Sequence, residues 1–232
     1  MKAGKRTGMI DQDSFLPNLE VRVIAFSLRE ERLHVLLVSA GSTPSPLWEI
    51  PGGRILKDQS LEEAASQQLN GLTGLRETYL EQLYTYGEAG RGGKDRVISV
   101  VYFALLPAGA VASPAVKDDV SIRWFPVDAL PPLVEDHREV LAYALRRLRY
   151  KLEYTAVGFQ LLPEAFTLSD LQQTYEMILG EQLDKRNFRR RILEAQIIEP
   201  TGTLRTGEGR PARLYRYRPD AVAEIKARRL FP

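Results

Sequence analysis

The runs Leu19–Leu28 (LEVRVIAFSL) and Leu33–Val38 (LHVLLV) are dense in β-branched and aliphatic residues, and only the polar stretch Arg29–Arg32 separates them. Such a pair predicts a β-hairpin with a short loop, which commits the start of the chain to a sheet. Further strands are expected at Glu81–Tyr86, Arg96–Leu106 and Ser121–Phe125. Two stretches of helical spacing lie among them. After a loop with Pro44, Pro46, Pro51, Gly52 and Gly53, residues Leu61, Ala65, Leu69 and Leu72 recur at helical intervals, and Ser60 with Glu63 has the spacing of a capping box. Beyond Pro131 and Pro132, a second helix carries Leu141, Leu145, Leu148 and Leu152 on one face. Strands interleaved with amphipathic helices define an α/β domain.

Several classes are excluded by simple inventory. Cysteine is absent and there are two histidines, which removes disulfide scaffolds and thiolate zinc sites and leaves little for a histidine metal site or triad. The longest uncharged run, Val97–Val116, is interrupted by Pro107, Gly109 and Pro114 and reads as a strand followed by a loop, not a membrane helix. Met1–Phe15 lacks the apolar segment of a signal peptide, so a cytoplasmic location and a loose tail over 1–16 are expected.

After the connector Tyr154–Phe166 the texture changes. Thr167–Gly180 has a Thr cap, a stripe of Leu171, Tyr175, Ile178 and Leu179, and a Gly terminator. Leu183–Glu194 is a second helix with Asp184 as its cap, and Phe188, Ile192 and Leu193 are expected to face the core. Gln196–Arg218 then reads as strand, turn, strand, with Gly202, Gly207 and Gly209 in the turns. The 232 residues therefore divide into a first domain over 17–153 and a second over 154–232. Charge is spread unevenly along the chain. The whole chain carries only +2, but residues 1–145 hold 15 basic against 19 acidic side chains and the rest 17 against 11, so −4 faces +6.

Helix, turn, helix and hairpin is the order of a winged helix-turn-helix. Its second helix carries Lys185, Arg186, Asn187, Arg189, Arg190 and Arg191, and the hairpin carries Arg205, Arg210, Arg213, Arg216 and Arg218. Lys and Arg at the start of such a helix meet phosphates or guanine edges, and Asn187 is placed to read adenine. Gly209-Arg210-Pro211 resembles a wing tip that enters the minor groove. The candidate DNA-binding set is Thr167, Lys185, Arg186, Asn187, Arg189, Arg190, Arg205, Arg210, Arg213 and Arg216. A merely solvated charge run is the plainer alternative.

In the first domain, Pro51–Leu75 (PGGRILKDQSLEEAASQQLNGLTGL) resembles the box of the Nudix superfamily, Gly-x5-Glu-x7-Arg-Glu-apolar-x-Glu-Glu-x-Gly-apolar, anchored on Gly53 and on Gly74 with Leu75. The resemblance implies a Nudix α/β/α sandwich with a mixed sheet, in which one-turn-spaced carboxylates hold Mg²⁺ against a diphosphate. Here those positions are Gln59, Gln67-Gln68 and Gly71-Leu72. An amide offers a carbonyl but no charge, and leucine offers neither, so hydrolysis by the family's mechanism is not expected, and no metal or other cofactor is assigned. Glu62 and Glu63 read as helix N-terminal charges and a capping partner; a hydrolase using Asp58, Glu62 and Glu63 instead is the alternative.

A Nudix-like domain followed by a winged helix resembles the Nudix-related transcriptional regulators of the NrtR family. Further stretches carry that resemblance: Glu81–Tyr86, Arg96–Val100 running into Tyr102, Glu135–Glu139, and Leu161–Leu168 through Leu183–Arg189. It implies a homodimeric bacterial repressor that binds a palindromic operator in double-stranded DNA and senses ADP-ribose, a related NAD-pathway metabolite or a sugar. Candidate effector-binding residues are Trp48, Gly52, Gly53, Arg54, Glu81, Arg96 and His137. For Trp48 the alternative is packing, for His137 a structural hydrogen bond, and for Glu81 and Arg96 plain exposure on strands. A Nudix domain serving only as a dimerisation scaffold is the remaining possibility.

Overall fold

The computed structural model describes residues 18–40, 46–88, 96–107, 109, 120–134, 136–207 and 211–221. The expected tail 1–16, Glu135, Gly209 and Arg210 lie outside the described residues. The first hairpin forms as expected from strands β1 (Asn18–Arg29) and β2 (Arg32–Ala40). Its turn is two residues long, Glu30 and Glu31, with φ of 48° and 57°. Positive φ at both positions suits the right-handed twist of the strands but normally selects Asn-Gly, since a side chain there costs about 1 kcal/mol. Glu30→Asn with Glu31→Gly is therefore expected to raise the melting temperature by roughly 2–4 °C, read by circular dichroism.

Strand β3 (Gly52–Arg54) pairs antiparallel with the first part of β1, through Glu20↔Arg54, Val21↔Gly53 and Arg22↔Gly52. Helix α1 (Leu61–Thr73) opens with the Ser60–Glu63 capping box and ends at Gly74 with φ 76°. Strands β4 (Tyr79–Tyr86), β5 (Val97–Leu106) and β6 (Val120–Pro126) complete the sheet in the order β4-β5-β1-β2-β6. Among the described strands only β1 and β5 run parallel, so the sheet is mixed.

Alternation along β1 sorts the two faces. Val21, Val23 and Ala25 face α1 with Ala64, Ala65 and Leu69. Ile24, Phe26 and Leu28 face α2 (His137–Tyr154), whose Leu141, Leu148 and Leu152 are buried. This is the α/β/α sandwich. Among the described residues, no helix is long and apolar enough to cross a membrane.

A 3-10 helix at Val157–Leu161 leads into α3 (Leu168–Leu179), α4 (Lys185–Glu194) and the hairpin β7 (Ile198–Arg205) and β8 (Ala212–Tyr217). Thr167 with Asp170 caps α3, Gly180 ends it at φ 78°, and Asp184 caps α4 by accepting from the Asn187 N–H at 2.7 Å. The core of this winged helix is not separate: Leu148 and Leu152 of α2 continue through Val157, Phe159 and Leu161 to Phe166, Tyr175 and Phe188. Arg149 of α2 adds a bond from Nε to the Ile178 carbonyl at 2.8 Å, satisfying one of the open carbonyls at the end of α3.

Two expectations are corrected. Leu193 is 47% exposed, because Phe188 and Ile192, one turn apart, occupy the inward stripe of α4 and Leu193 falls outside it. Gly202 lies inside β7 rather than in the hairpin turn, with φ 81° at the register shift between Pro200 and Leu204.

Candidate functional site

The segment that resembles a Nudix box forms β3, a short loop and α1, and its glutamines engage one another. Gln59 Nε2 donates to Gln67 Oε1 at 2.6 Å, the Leu56 N–H donates to Gln59 Oε1 at 3.3 Å, and Gln68 Nε2 donates to the Gly52 carbonyl at 3.2 Å. An amide can both donate and accept, so these positions cross-link the loop to the helix without a cation. Three amides, a glycine and a leucine do not fit a site for Mg²⁺, which takes hard, charged oxygen ligands. Among the described residues, no cluster of three or more His, Cys, Asp or Glu could hold a metal ion.

Gly52 has a structural reason of its own. A Cβ there would lie 2.6 Å from the Val21 carbonyl oxygen and 2.6 Å from Arg22 Cγ, so β3 can approach β1 only without a side chain. At Gly53 the nearest atom to such a Cβ is Gln68 Oε1 at 3.5 Å, an ordinary contact.

Beside β3 the structure places a half-buried charge cluster that the sequence alone did not disclose. Arg22 binds Glu20 through Nε at 2.7 Å and Nη2 at 3.2 Å, and its Nη1 reaches Glu49 at 3.1 Å and the Ile50 carbonyl at 2.8 Å. Ser99 Oγ donates to Glu20 at 2.5 Å. Burial works against the Arg22 charge, but the two carboxylates outweigh it and its pKa is raised. The available signal was a pair of opposite charges two residues apart in an apolar strand, hence on one face. Glu49, about one-third exposed, presents carboxylate oxygens at the edge of this cluster.

The seven candidate effector residues do not all converge. Gly52, Gly53 and exposed Arg54 stand together on β3 beside the Arg22 cluster. Trp48 packs in the core: it is 5% exposed and stacks edge-on against Phe125, with ring centroids 4.7 Å apart. His137 is 3% exposed and accepts the Ile50 N–H on Nδ1 at 3.1 Å, which pins the start of α2 to the β3 approach. Glu81 on β4 is bound by Lys151 Nζ of α2 at 2.6 Å and by the Tyr79 hydroxyl, whose pKa is raised first by burial and then by that carboxylate. Arg96 is exposed and donates to the Gly87 carbonyl at 3.2 Å.

The basic residues of the second module divide by what holds them. Lys185 and Arg186, in the exposed first turn of α4, have no side-chain partner among the described residues, and neither does Arg213 on β8. Arg190 binds Asn187 Oδ1 at 2.9 Å and Glu194 at 3.5 Å, so Asn187 is engaged on its own helix. Arg189 reaches Ser169 Oγ at 3.1 Å, and Arg216 pairs with Glu199 at 2.6 Å across the hairpin. Arg205 is forked onto Asp170, at 2.9 and 3.0 Å. Thr167 is 3% exposed and its hydroxyl accepts from the Asp170 N–H, so it caps α3.

Comparison with known proteins agrees with this architecture. Residues 18–144 match the NUDIX domain family and residues 158–217 match the NrtR DNA-binding winged helix domain. The chain is 36% identical over 206 residues to the ADPR responsive transcriptional repressor NtrR of Acinetobacter baylyi, covering 87% of this chain and 82% of that one. The crystal structure of Shewanella oneidensis NrtR complexed with a 27mer DNA superposes with a TM-score of 0.76 at 34% identity, over 91% of this chain and 96% of that one. The NUDIX domain of the same Shewanella protein complexed with ADP ribose covers 60% of this chain and 94% of its own, with a TM-score of 0.51 and 31% identity. A Nudix sandwich and a winged helix on one continuous core, matched along nearly their whole length, place this chain in the NrtR family of Nudix-related transcriptional regulators.

Proposed function

We propose that this protein is a cytoplasmic, homodimeric transcriptional repressor whose Nudix-like part, residues 17–153, senses ADP-ribose and whose winged helix, residues 154–232, binds a palindromic operator. The observation that carries the reading is the joint between the parts: α2 supplies one hydrophobic surface to the sensing sheet and to the 3-10 helix and α3. The Acinetobacter relative is named as an ADPR responsive repressor, and the Shewanella relative has been crystallised with DNA and, as its NUDIX domain, with ADP ribose. In this chain Lys185 and Arg186 at the start of α4 would enter the major groove, with Arg190 one turn on and Arg213 on the wing. Gly52, Gly53, Arg54 and Glu49 are the residues proposed to meet the effector, the arginine facing its diphosphate and the carboxylate its ribose hydroxyls.

The Nudix part acts without hydrolysis. At the box positions Gln59 and Gln68, amides bonded to Gln67 and to the Gly52 carbonyl replace carboxylates that would hold a cation, and Gly71 and Leu72 replace the other two. ADP-ribose is expected to raise the melting temperature without added metal, as a ligand of the native state alone must. Incubation with Mg²⁺ or Mn²⁺ is expected to leave the ADP-ribose intact by chromatography. Turnover abolished by Glu62→Gln would overturn this reading in favour of a hydrolase with other ligands.

A further inference from the structure

We propose that Arg205 is a positioning residue, which clamps the outer half of the wing to the start of α3 and so fixes where Arg213 meets DNA. This rests on the DNA-binding reading above but assigns Arg205 a different role from the neighbouring arginines. The guanidinium lies flat against Asp170, Nη1 to Oδ2 at 2.9 Å and Nη2 to Oδ1 at 3.0 Å, and Nη2 also reaches Thr167 Oγ1 at 3.3 Å. That is the two-armed geometry in which arginine gives orientation as well as attraction. Asp170 is itself fixed, because its Oδ2 accepts the Thr167 N–H at 2.8 Å in the α3 capping box.

The hairpin needs such an anchor. Its base is held by a reciprocal backbone pair, Phe166 N–H to the Tyr215 carbonyl at 2.9 Å and Tyr215 N–H to the Phe166 carbonyl at 2.8 Å. Beyond that pair the ladder is broken between Pro200 and Leu204, and it resumes only at Leu204↔Arg213 and Arg205↔Ala212. A two-stranded ribbon decoupled from its base is not stable in orientation by itself. Successive residues point to opposite faces, so Arg205 turns toward α3 while Leu204 and Arg213, both exposed, turn away from it. The clamp therefore holds the face that does not meet DNA and aims the one that does.

The two roles for Arg205 make opposite predictions at its partner. If Arg205 bound a phosphate, Asp170 would be its competitor, and Asp170→Asn would strengthen DNA binding. If it is a clamp, Asp170→Asn weakens binding as much as Arg205→Ala does. The probe is a fluorescent duplex selected from a random pool by the wild-type protein, followed by anisotropy across a salt series. Asp170→Asn, Arg205→Ala and Arg205→Lys are each expected to weaken binding by about tenfold, with the double Asp170→Asn/Arg205→Ala no weaker than either single. The slope of log affinity against log salt should stay at the wild-type value. Binding by Asp170→Asn equal to or tighter than wild type, or a slope lower by about one in Arg205→Ala, would overturn the clamp. Amide exchange measured without DNA separates this from the DNA reading. Each variant should exchange faster than wild type at Leu204 and Ala212, even if the wild type selects no duplex, and unchanged exchange there refutes the clamp by itself.

Discussion

Lys185→Ala combined with Arg186→Ala is expected to weaken binding of a selected operator duplex by roughly 30-fold at physiological salt. A cation that no longer neutralises its phosphate takes about 0.9 from the slope of log affinity against log salt, and at about 0.15 M that amounts to roughly fivefold per cation. The slope should fall by about two, which anisotropy titrations at several salt concentrations read directly. These two residues are the natural choice because they occupy the exposed first turn of α4 and carry no ion pair among the described residues. Arg189→Ala with Arg190→Ala should cost less. Arg189 is turned toward Ser169, and Arg190 is shared with Asn187 and Glu194, so each must give up a partner before it can meet a phosphate. An unchanged slope in the Lys185/Arg186 variant would mean that α4 does not approach the DNA by its N-terminal turn.

Leu152→Ala is the variant expected to damage stability most, by about 2–5 kcal/mol. Leu152 is fully buried near the end of α2, and a Cβ built on Gly158 would lie 2.9 Å from its Cδ2 and 3.1 Å from Tyr175 Cε2. The cavity left by truncation would thus open where the sensing sandwich, the 3-10 helix and α3 meet, in a space too tight for neighbours to collapse into without moving backbone. Because the core runs through this point, one cooperative transition is expected, shifted as a whole in the variant. Two transitions by calorimetry, of which only one moves, would show that the modules are energetically separate. Such a shared core also gives effector binding a route to the winged helix, since a change in the seating of α2 changes what α3 packs on.

Much of this fold is legible in the residues. The hairpin over Leu19–Val38, the Ser60–Glu63 capping box, the Thr167 cap and the Leu stripe of α2 follow from local pattern, because strand alternation, cap chemistry and helical period are short-range signals. The two-residue Glu30–Glu31 turn is not, since nothing in Glu-Glu signals positive φ, and the twist of the paired strands imposes it. The candidate sites are less legible. Trp48 and His137 look like ligand residues by type, yet tertiary packing buries them, and the Glu20–Arg22–Glu49 cluster depends on β3 crossing β1, a pairing no local pattern encodes. On the winged helix the sequence supplies the arginines, whereas the fold decides which are engaged: Arg205 and Arg216 face carboxylates, and Arg213 does not among the described residues.

The central claim is that one chain couples ADP-ribose to DNA. The direct measurement is a titration of ADP-ribose into the complex of the full chain with its selected duplex, at constant salt and without added divalent metal, followed by anisotropy. A ligand can shift this equilibrium only by binding the free and DNA-bound states with different affinity, so saturation should lower DNA affinity to a fixed plateau. By reciprocity, the duplex should weaken ADP-ribose binding by the same factor. A saturating concentration of ADP-ribose, shown to be bound, that leaves DNA affinity unchanged would contradict the account.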